Sequence, residues 1–374
     1  VEFRGHVLTE RATTLPREAY VSPEVFAAER EKIFALRWIC VGRSERVREP
    51  GAYLLAEIAG ESLIVVRGAE GAIRAFFNVC RHRGTRLCET EEGRVGKAIV
   101  CPYHSWAYDL DGALRAASNM EDLPWFDRAD YGLFPAAAGE WNGFLFVSLA
   151  RRAAPLAETL EPLESRLAPW GLARLATVRR IAYDVGANWK LLYQNFSECL
   201  HCPPVHPKLA RLSDFRSGAN DLREGPILGG YMTIDRPGGS LSSSGEMCGV
   251  PIGELSGDDR RRVYYYSVFP GLFLTVQPDF VLSTRLSPVA IDRTRVTCEW
   301  HFAPETLSQP GLDPAEGVSL WDETNRQDWH VCELAQRGVS SRAYVPGLYS
   351  KSESLLAAFD REYLASMEGA GVRG

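Results

Sequence analysis

Long apolar runs are missing from this 374-residue chain, and none approaches the ~18–20 residues that cross a bilayer as a helix. A membrane-spanning protein is therefore not expected. A basic excess is missing too: Lys and Arg number 42 against 48 Asp and Glu, a formal charge of −6, which argues against a nucleic-acid partner. There is no glycine-rich phosphate loop, which excludes the usual FAD, NAD and ATP sites, and no internal repeat. The first residues, VEFRGHVLTERATT, lack the apolar core of a signal peptide, so a cytoplasmic location is expected. What is present is the balance of a globular protein, 45% hydrophobic and 24% charged, in a chain long enough for two domains of ordinary size.

Histidine is scarce, at seven, while cysteine numbers nine. An odd count in a large chain without a visible export signal argues against a disulfide framework. Cys40 and Cys248 have no histidine nearby and read as small buried hydrophobes. Cys298 and Cys332 have His301 and His330 close by but fall inside strand or helix patterns, and read as core thiols. Cys80, Cys101, Cys199 and Cys202 lie within three residues of a histidine, at turns or beside proline. These four are the candidates for metal chemistry.

The periodicity divides the chain into three parts. Residues 1–37 read as a leader that packs on the second domain; its helix, SPEVFAAEREKIF, has Ser22 as cap and Pro23 at the first position. Residues 38–150 hold short β-type runs such as AYLLAEI, SLIVVRG, KAIVCPYH and NGFLFVSL, several of them parted by glycine turns, and predict an antiparallel all-β domain. Residues 151–374 mix long strands (VYYYSVFPGLFLTV, DFVLSTRLSPV, RVTCEWHF) with helices near 188–201, 314–337 and 351–366. The expected class is α+β, with an antiparallel sheet flanked by helices. The stretch from Ser217 to Asp259 shows no period and reads as a long loop.

In the β-domain, Cys80-Arg-His82 and Cys101-Pro-Tyr-His104 each sit where a strand ends in a turn. Two such tips can converge to offer two thiolates and two imidazoles to one centre, which suits zinc or an iron–sulfur cluster. Zinc modules usually group like ligands, whereas each tip here carries one Cys and one His. That interleaving suits a [2Fe–2S] cluster with two Cys on one iron and two His on the other. The C-x-H…C-x-x-H pattern, with Arg83-Gly84 after the first pair and Pro102-Tyr103 and Trp106 around the second, resembles the Rieske motif of Rieske oxygenases. Cys88 has no matching cysteine two residues after Cys101, where Tyr103 stands, and is expected to be a free thiol.

The second candidate centre lies in NWKLLYQNFSECLHCPPVHPKL. Glu198 and His201 are i, i+3 and would share a helix face. Pro203 and Pro204 would end that helix and let the chain swing His206 back. Two imidazoles and one carboxylate form the facial triad of mononuclear non-haem Fe(II). The carboxylate has two candidates, Glu198 by proximity and Asp328 in WDETNRQDWHVCELAQRG, where Trp321, Val331, Cys332 and Ala335 make its face largely apolar. Cys199 and Cys202 also admit a zinc reading, but soft thiolates would not select an oxygen-activating Fe(II).

The D/E-x-x-H-x₄-H run followed by a distant Asp resembles the α-subunit of Rieske non-haem iron oxygenases, and the similarity covers nearly the whole chain. The resemblance implies that His201, His206 and Asp328 bind iron. It further implies that Glu198 is the carboxylate bridging iron ligand His201 to the cluster ligand His104 of a neighbouring subunit, hence a homotrimer. Glu198 departs from the Asp that most of the family carries here. In this, and in QNFSECLHCPPVHP and RRRVYYYSVFP, the chain is similar to the branch acting on quaternary ammonium compounds such as glycine betaine, carnitine and stachydrine. The expected cofactors are one [2Fe–2S] cluster and one mononuclear Fe(II). The expected partners are O₂, a small-molecule substrate and a separate NAD(P)H-dependent reductase or ferredoxin, because the chain has no flavin or nicotinamide motif.

The reaction expected from this resemblance is monooxygenation leading to N-demethylation with loss of formaldehyde. Hydroxylation of an aromatic or other carbon substrate is the alternative, and an electron carrier with only the cluster is a third reading. A trimethylammonium head donates no hydrogen bonds, so its site should be an aromatic box worth ~0.5–2 kcal/mol per ring. Tyr193, Phe196, Phe269 and Phe273 are the candidates.

Overall fold

The computed structural model describes residues 12–120 and 122–369, so His6 and most of the VEFRGHVLTERATT run lie outside the described residues. The chain forms two compact units. One is Arg30–Leu160; the other joins the described residues up to Glu29 to those from Glu161 onward. No helix among the described residues is long and apolar enough to cross a membrane.

The first unit carries β1 (Ile39–Arg43), β2 (Ala52–Ile58), β3 (Glu61–Arg67), β4 (Ile73–Phe77), β5 (Glu92–Arg94), β6 (Ala98–Val100), β7 (Ala107–Asp109), β8 (Leu114–Ala116), β9 (Pro135–Trp141) and β10 (Phe144–Ser148). Seven of these pair in the order β1-β10-β9-β4-β3-β2-β5, and β6-β7-β8 make a separate small sheet. Strand β3 shows why the sheet holds. Its side chains alternate between faces, so Ile64 and Val66 join Phe76, Trp106 and Tyr108 in one core. Leu63 and Val65 join Val41, Leu145 and Val147 in the other. All four β3 residues are fully buried, each contributing about 1.5–3 kcal/mol. Cys80 and Cys101 belong to the first of these cores, which therefore supports the two cysteine-bearing tips. The sequence reading misses β5, β8 and β9. Two are three residues long, and PAAAGEW is poor in the β-branched residues that mark strands.

The second unit has helices α1 (Glu18–Val21) and α2 (Pro23–Glu29), and α3 (Leu156–Leu167) carries the chain into it from the first unit. Then follow β11 (Ala176–Val185), α4 (Trp189–Phe196), α5 (Cys202–Val205), β12 (Ala219–Leu222), β13 (Ile227–Thr233), β14 (Arg262–Val268), β15 (Leu272–Val276), β16 (Phe280–Ala290), β17 (Arg293–Phe302), α6 (Pro314–Val339) and α7 (Ser354–Glu368). The strands form one antiparallel sheet in the order β11-β17-β16-β15-β14-β13-β12. Helix α4 is buried from Trp189 to Gln194. Its Lys190 is fully buried and ion-paired with Glu29 of α2. Trp189 and Tyr363 also donate to that carboxylate, each at 2.8 Å. Breaking such a buried pair from one side typically costs about 3–5 kcal/mol, so the network fixes α4 firmly just before the second candidate centre.

Three expectations change. VYYYSVFPGLFLTV is not one strand but the hairpin β14–β15, reversed by Pro270-Gly271 with Val268 facing Leu272. The segment 217–259 is not all loop, for β12 and β13 lie within it. ILGGYMT hides its period because a side chain at Gly229 would strike the Tyr265 carbonyl and one at Gly230 the Ala219 carbonyl. The helix expected over 188–201 ends at Phe196, where the Ser197 hydroxyl bonds the Tyr193 carbonyl at 2.7 Å. Pro203 and Pro204 do not end that helix but lie in the short α5 that follows.

Candidate metal centres

The two tips of the β-unit are built alike. At the first, Cys80 N donates to Thr85 O (2.8 Å) and Gly84 N to Cys80 O (3.0 Å). At the second, Cys101 N donates to Trp106 O (2.7 Å) and Ser105 N to Cys101 O (3.1 Å). Gly84 and Ser105 occupy matching positions, both left-handed at φ 72° and 58°. Each turn thus buries its cysteine, 3% and 2% exposed, and carries its histidine outward to partial exposure. The His82 and His104 rings approach to 4.8 Å at 70°. Behind them His82 stacks on Trp106 at 4.8 Å and His104 on Tyr103 at 3.7 Å.

The chemistry of this donor set fits a cluster. Burial pushes the Cys80 thiol up and the neighbouring Cys101 adds to it, so positive charge from a metal would favour the thiolates. Burial, with His104 and Arg83 beside it, holds His82 below its ordinary value and so neutral. Its Nδ1 is buried with no hydrogen-bond partner among the described residues. Tyr108 OH lies 3.2 Å from Cys80 Sγ. Cys88 is a buried free thiol, pushed up to about 11 by burial.

The second centre assembles from three elements. The turn after α4 gives Glu198 and His201, the end of α5 gives His206, and α6 gives Asp328. The ligand atoms of His201, His206 and Asp328 all lie within 4.8 Å of one another. Asp328 Oδ1 is 3.2 Å from His201 Nε2 and 2.9 Å from His206 Nε2. Glu198 faces the opposite nitrogen, His201 Nδ1, at 2.6 Å, and its other oxygen accepts from Leu200 N. Thus Asp328 points to the common centre and Glu198 stands behind His201. Burial pulls the His201 imidazole down, but the Asp328 and Glu198 carboxylates outweigh it and raise it to about 9. Burial lifts Asp328, yet its bonds to His201 and His206 bring it below the usual carboxylate range. A centre that gathers two imidazoles and an ionised carboxylate, and favours positive charge, fits a divalent metal.

Sequence reasoning misses Gln327. Its Oε1 is 2.8 Å from His206 Nδ1, so that nitrogen donates and Nε2 remains free to ligate. A glutamine beside an aspartate on a helix carries no spacing signal. The structure also joins Cys199 to Cys202 in a disulfide, although the odd cysteine count argues against a disulfide framework. The turn after α4 brings the two close, and the disulfide leaves no thiolates for zinc. His301, by contrast, is a core residue bonded to Thr177 (3.0 Å) and Ser283 (2.8 Å).

A cavity of about 350 Å³ reaches the His201–His206–Asp328 centre. Phe196 and Phe273 line it, stacked at 4.2 Å and 4°. Tyr193 and Phe269 do not line it. Tyr193 stacks on Phe359 at 4.1 Å, and Phe269 sits in the β14–β15 turn against Trp189. Lining aromatics absent from the expectation are Phe215, Tyr231, Tyr265, Trp321 and Trp329. Trp321 could have been found, lying two helical turns before Asp328 on the same face.

Residues 172–369 match the family described as ring hydroxylating alpha subunit (catalytic domain), and residues 37–127 match the Rieske [2Fe–2S] domain. The carnitine monooxygenase oxygenase subunit of Escherichia coli is 38% identical over 341 residues, covering 90% of this chain and 86% of the relative. The glycine betaine monooxygenase oxygenase subunit of Chromohalobacter salexigens is 34% identical over 378 residues, covering 91% and 82%. Among solved structures, the quaternary ammonium Rieske monooxygenase CntA in complex with L-carnitine superimposes with a TM-score of 0.79 at 26% identity, over 96% of both chains.

Proposed function

The chain belongs to the Rieske non-haem iron oxygenases as an oxygenase α-subunit, and from that premise we propose that it N-demethylates a betaine-like quaternary ammonium compound. The observation that carries this reading is the aromatic cavity against the His201–His206–Asp328 centre. A fixed cation offers no hydrogen atom to an acceptor, so ring faces recognise it through cation–π attraction. The stacked pair Phe196 and Phe273 supplies such faces.

The residues have distinct tasks. Cys80, Cys101, His82 and His104 hold the [2Fe–2S] cluster, and His201, His206 and Asp328 hold the mononuclear iron. When bound, that iron supplies open coordination positions for the reduction of O₂. Glu198 fixes the His201 ring through Nδ1–H, as Gln327 fixes His206. The cavity excludes water and sets an N-methyl group toward the ligand atoms. Hydroxylation of that methyl would give an N-hydroxymethyl group, which loses its O–H proton to water as the C–N electron pair returns to nitrogen, releasing formaldehyde and the tertiary amine.

Reducing equivalents come from a separate NAD(P)H-dependent reductase or ferredoxin. The working assembly is a homotrimer in which Glu198 links His201 to His104 of the partner subunit. Purified protein with a ferredoxin-type reductase, NADH and O₂ tests the proposal on a panel of betaines and aromatic acids. Formaldehyde release matched to oxygen uptake with a betaine is expected. A hydroxylated ring product from an acid, with no formaldehyde from any betaine, would replace this reading with carbon hydroxylation.

A further inference from the structure

Strand β14 carries three consecutive tyrosines whose hydroxyls meet different fates. Tyr264 donates to Asp259 at 2.6 Å, and Tyr266 donates to Asp221 at 3.1–3.2 Å. Tyr265, between them, projects from the other side of the strand and lines the cavity. Its hydroxyl has no partner among the described residues, and burial alone holds the phenol above its ordinary range. Trp321 of α6 is its neighbour, with ring centroids 6.3 Å apart. Trp321 also lines the cavity, is 5% exposed, and has a buried indole N–H without an acceptor among the described residues.

An indole N–H only donates, and a tyrosine hydroxyl donates readily. The partner these two donors lack is therefore an acceptor. Among the described residues no side chain supplies it: the carboxylates lining the cavity, Glu198 and Asp328, are bonded to His201 and His206. A cation on the wall, Arg216, has no carboxylate partner among the described residues, its guanidinium lying over Phe215 at 5.0 Å. An anionic ligand in this cavity would find these unused donors, and Arg216 as a positive charge on the wall. The position along the cavity also suits such a ligand. Trp321 precedes Asp328 by seven residues, about 10 Å of helix rise, which is the length scale of a small molecule with an N-methyl group at the metal and its acid group at the far end.

We propose that the Tyr265 hydroxyl and the Trp321 indole N–H form the subsite for the substrate's carboxylate, making this site selective for zwitterionic betaines over plain quaternary ammonium ions. This rests on the quaternary ammonium reading above and goes further by naming what holds the other end of the molecule.

A matched pair of probes tests it. γ-Butyrobetaine and butyltrimethylammonium share the trimethylammonium head and a similar chain, and differ in the carboxylate. Calorimetric titration of the iron-loaded enzyme with each, in wild type, Tyr265→Phe and Trp321→Phe, reads the subsite directly. Tyr265→Phe keeps the ring and removes one hydrogen bond to a charged group, so affinity for γ-butyrobetaine should fall roughly 10–100-fold. Affinity for butyltrimethylammonium should change by less than about twofold. Trp321→Phe should weaken γ-butyrobetaine in the same selective way. Equal effects on both probes, or no effect on either, would overturn the subsite. Wild-type enzyme that binds butyltrimethylammonium but not γ-butyrobetaine would overturn it while leaving the quaternary ammonium reading standing. Wild-type enzyme that binds neither would overturn that reading and the subsite with it.

Discussion

Gln327 offers a sharp test of how the mononuclear centre is held. His206 is 2% exposed, and its Nδ1–H has Gln327 Oε1 as partner at 2.8 Å. Replacing Gln327 by alanine strands that N–H in a buried place, at a cost of about 1–3 kcal/mol. At ~1.4 kcal/mol per decade this is roughly 5–150-fold in binding, in line with the ~10–100-fold typical of lost partners behind a metal ligand. Alanine is the better helix former, so α6 should stay intact. The assay is competition between the protein and a chelator for Fe(II) under anaerobic conditions, with cluster content followed by visible absorption. Gln327→Ala should weaken mononuclear iron 10–100-fold, on the order expected, and leave the cluster unchanged. Gln327→Glu, which keeps an acceptor oxygen, should restore most of the affinity. Iron affinity within about twofold of wild type for Gln327→Ala would refute the role assigned to this bond.

Other consequences follow from individual contacts. Glu198→Ala should keep both metal centres, read as iron content, yet lose coupled turnover; normal turnover would remove Glu198 from the bridging role. Tyr108→Phe deletes the hydroxyl 3.2 Å from Cys80 Sγ. Because that bond favours the reduced cluster, its loss, worth about 1 kcal/mol, should lower the one-electron potential by about 40 mV in voltammetry. Asp360 is pushed up to about 7 by burial, although Tyr349 and Gln194 bond it. The native protein therefore holds this proton more tightly than the unfolded chain between about pH 4 and 7. Stability should fall as pH rises through that window, by up to about 4 kcal/mol. Asp360→Asn should flatten this dependence in denaturant melts at pH 5 and 8, and an unchanged slope would show that another group sets it.

Much of this architecture was legible because its chemistry is local in sequence. Cys80 with His82, and Cys101 with His104, sit in two short turns whose matching hydrogen bonds follow from their own loops. His201 and His206 likewise lie in one run. Asp328 stood out as an acid on an apolar helix face, though only the folded chain shows its oxygen between the two Nε2 atoms. What stayed hidden depends on long-range packing. Gln327 meets His206 across 121 positions, and Tyr265 meets Trp321 only through the stacking of sheet against helix. Tyr193 and Phe269 looked like pocket residues because they are near it in sequence, but one belongs to the aromatic core around Phe359 and the other to a turn. The Cys199–Cys202 disulfide was hidden for a different reason: the helix expected over 188–201 stops at Phe196, and the turn that replaces it brings the sulfurs together.

One chain is expected to house a cluster and a separate mononuclear iron, and metal analysis of wild type beside one double variant tests this most directly. Wild-type protein should hold about three iron atoms per chain, two in the cluster and one at His201, His206 and Asp328. The His201→Ala/His206→Ala double variant should lose about one of them while the cluster's visible and paramagnetic spectra remain unchanged. Iron content unaltered by the double variant would contradict the second centre and leave an electron carrier in place of an oxygenase.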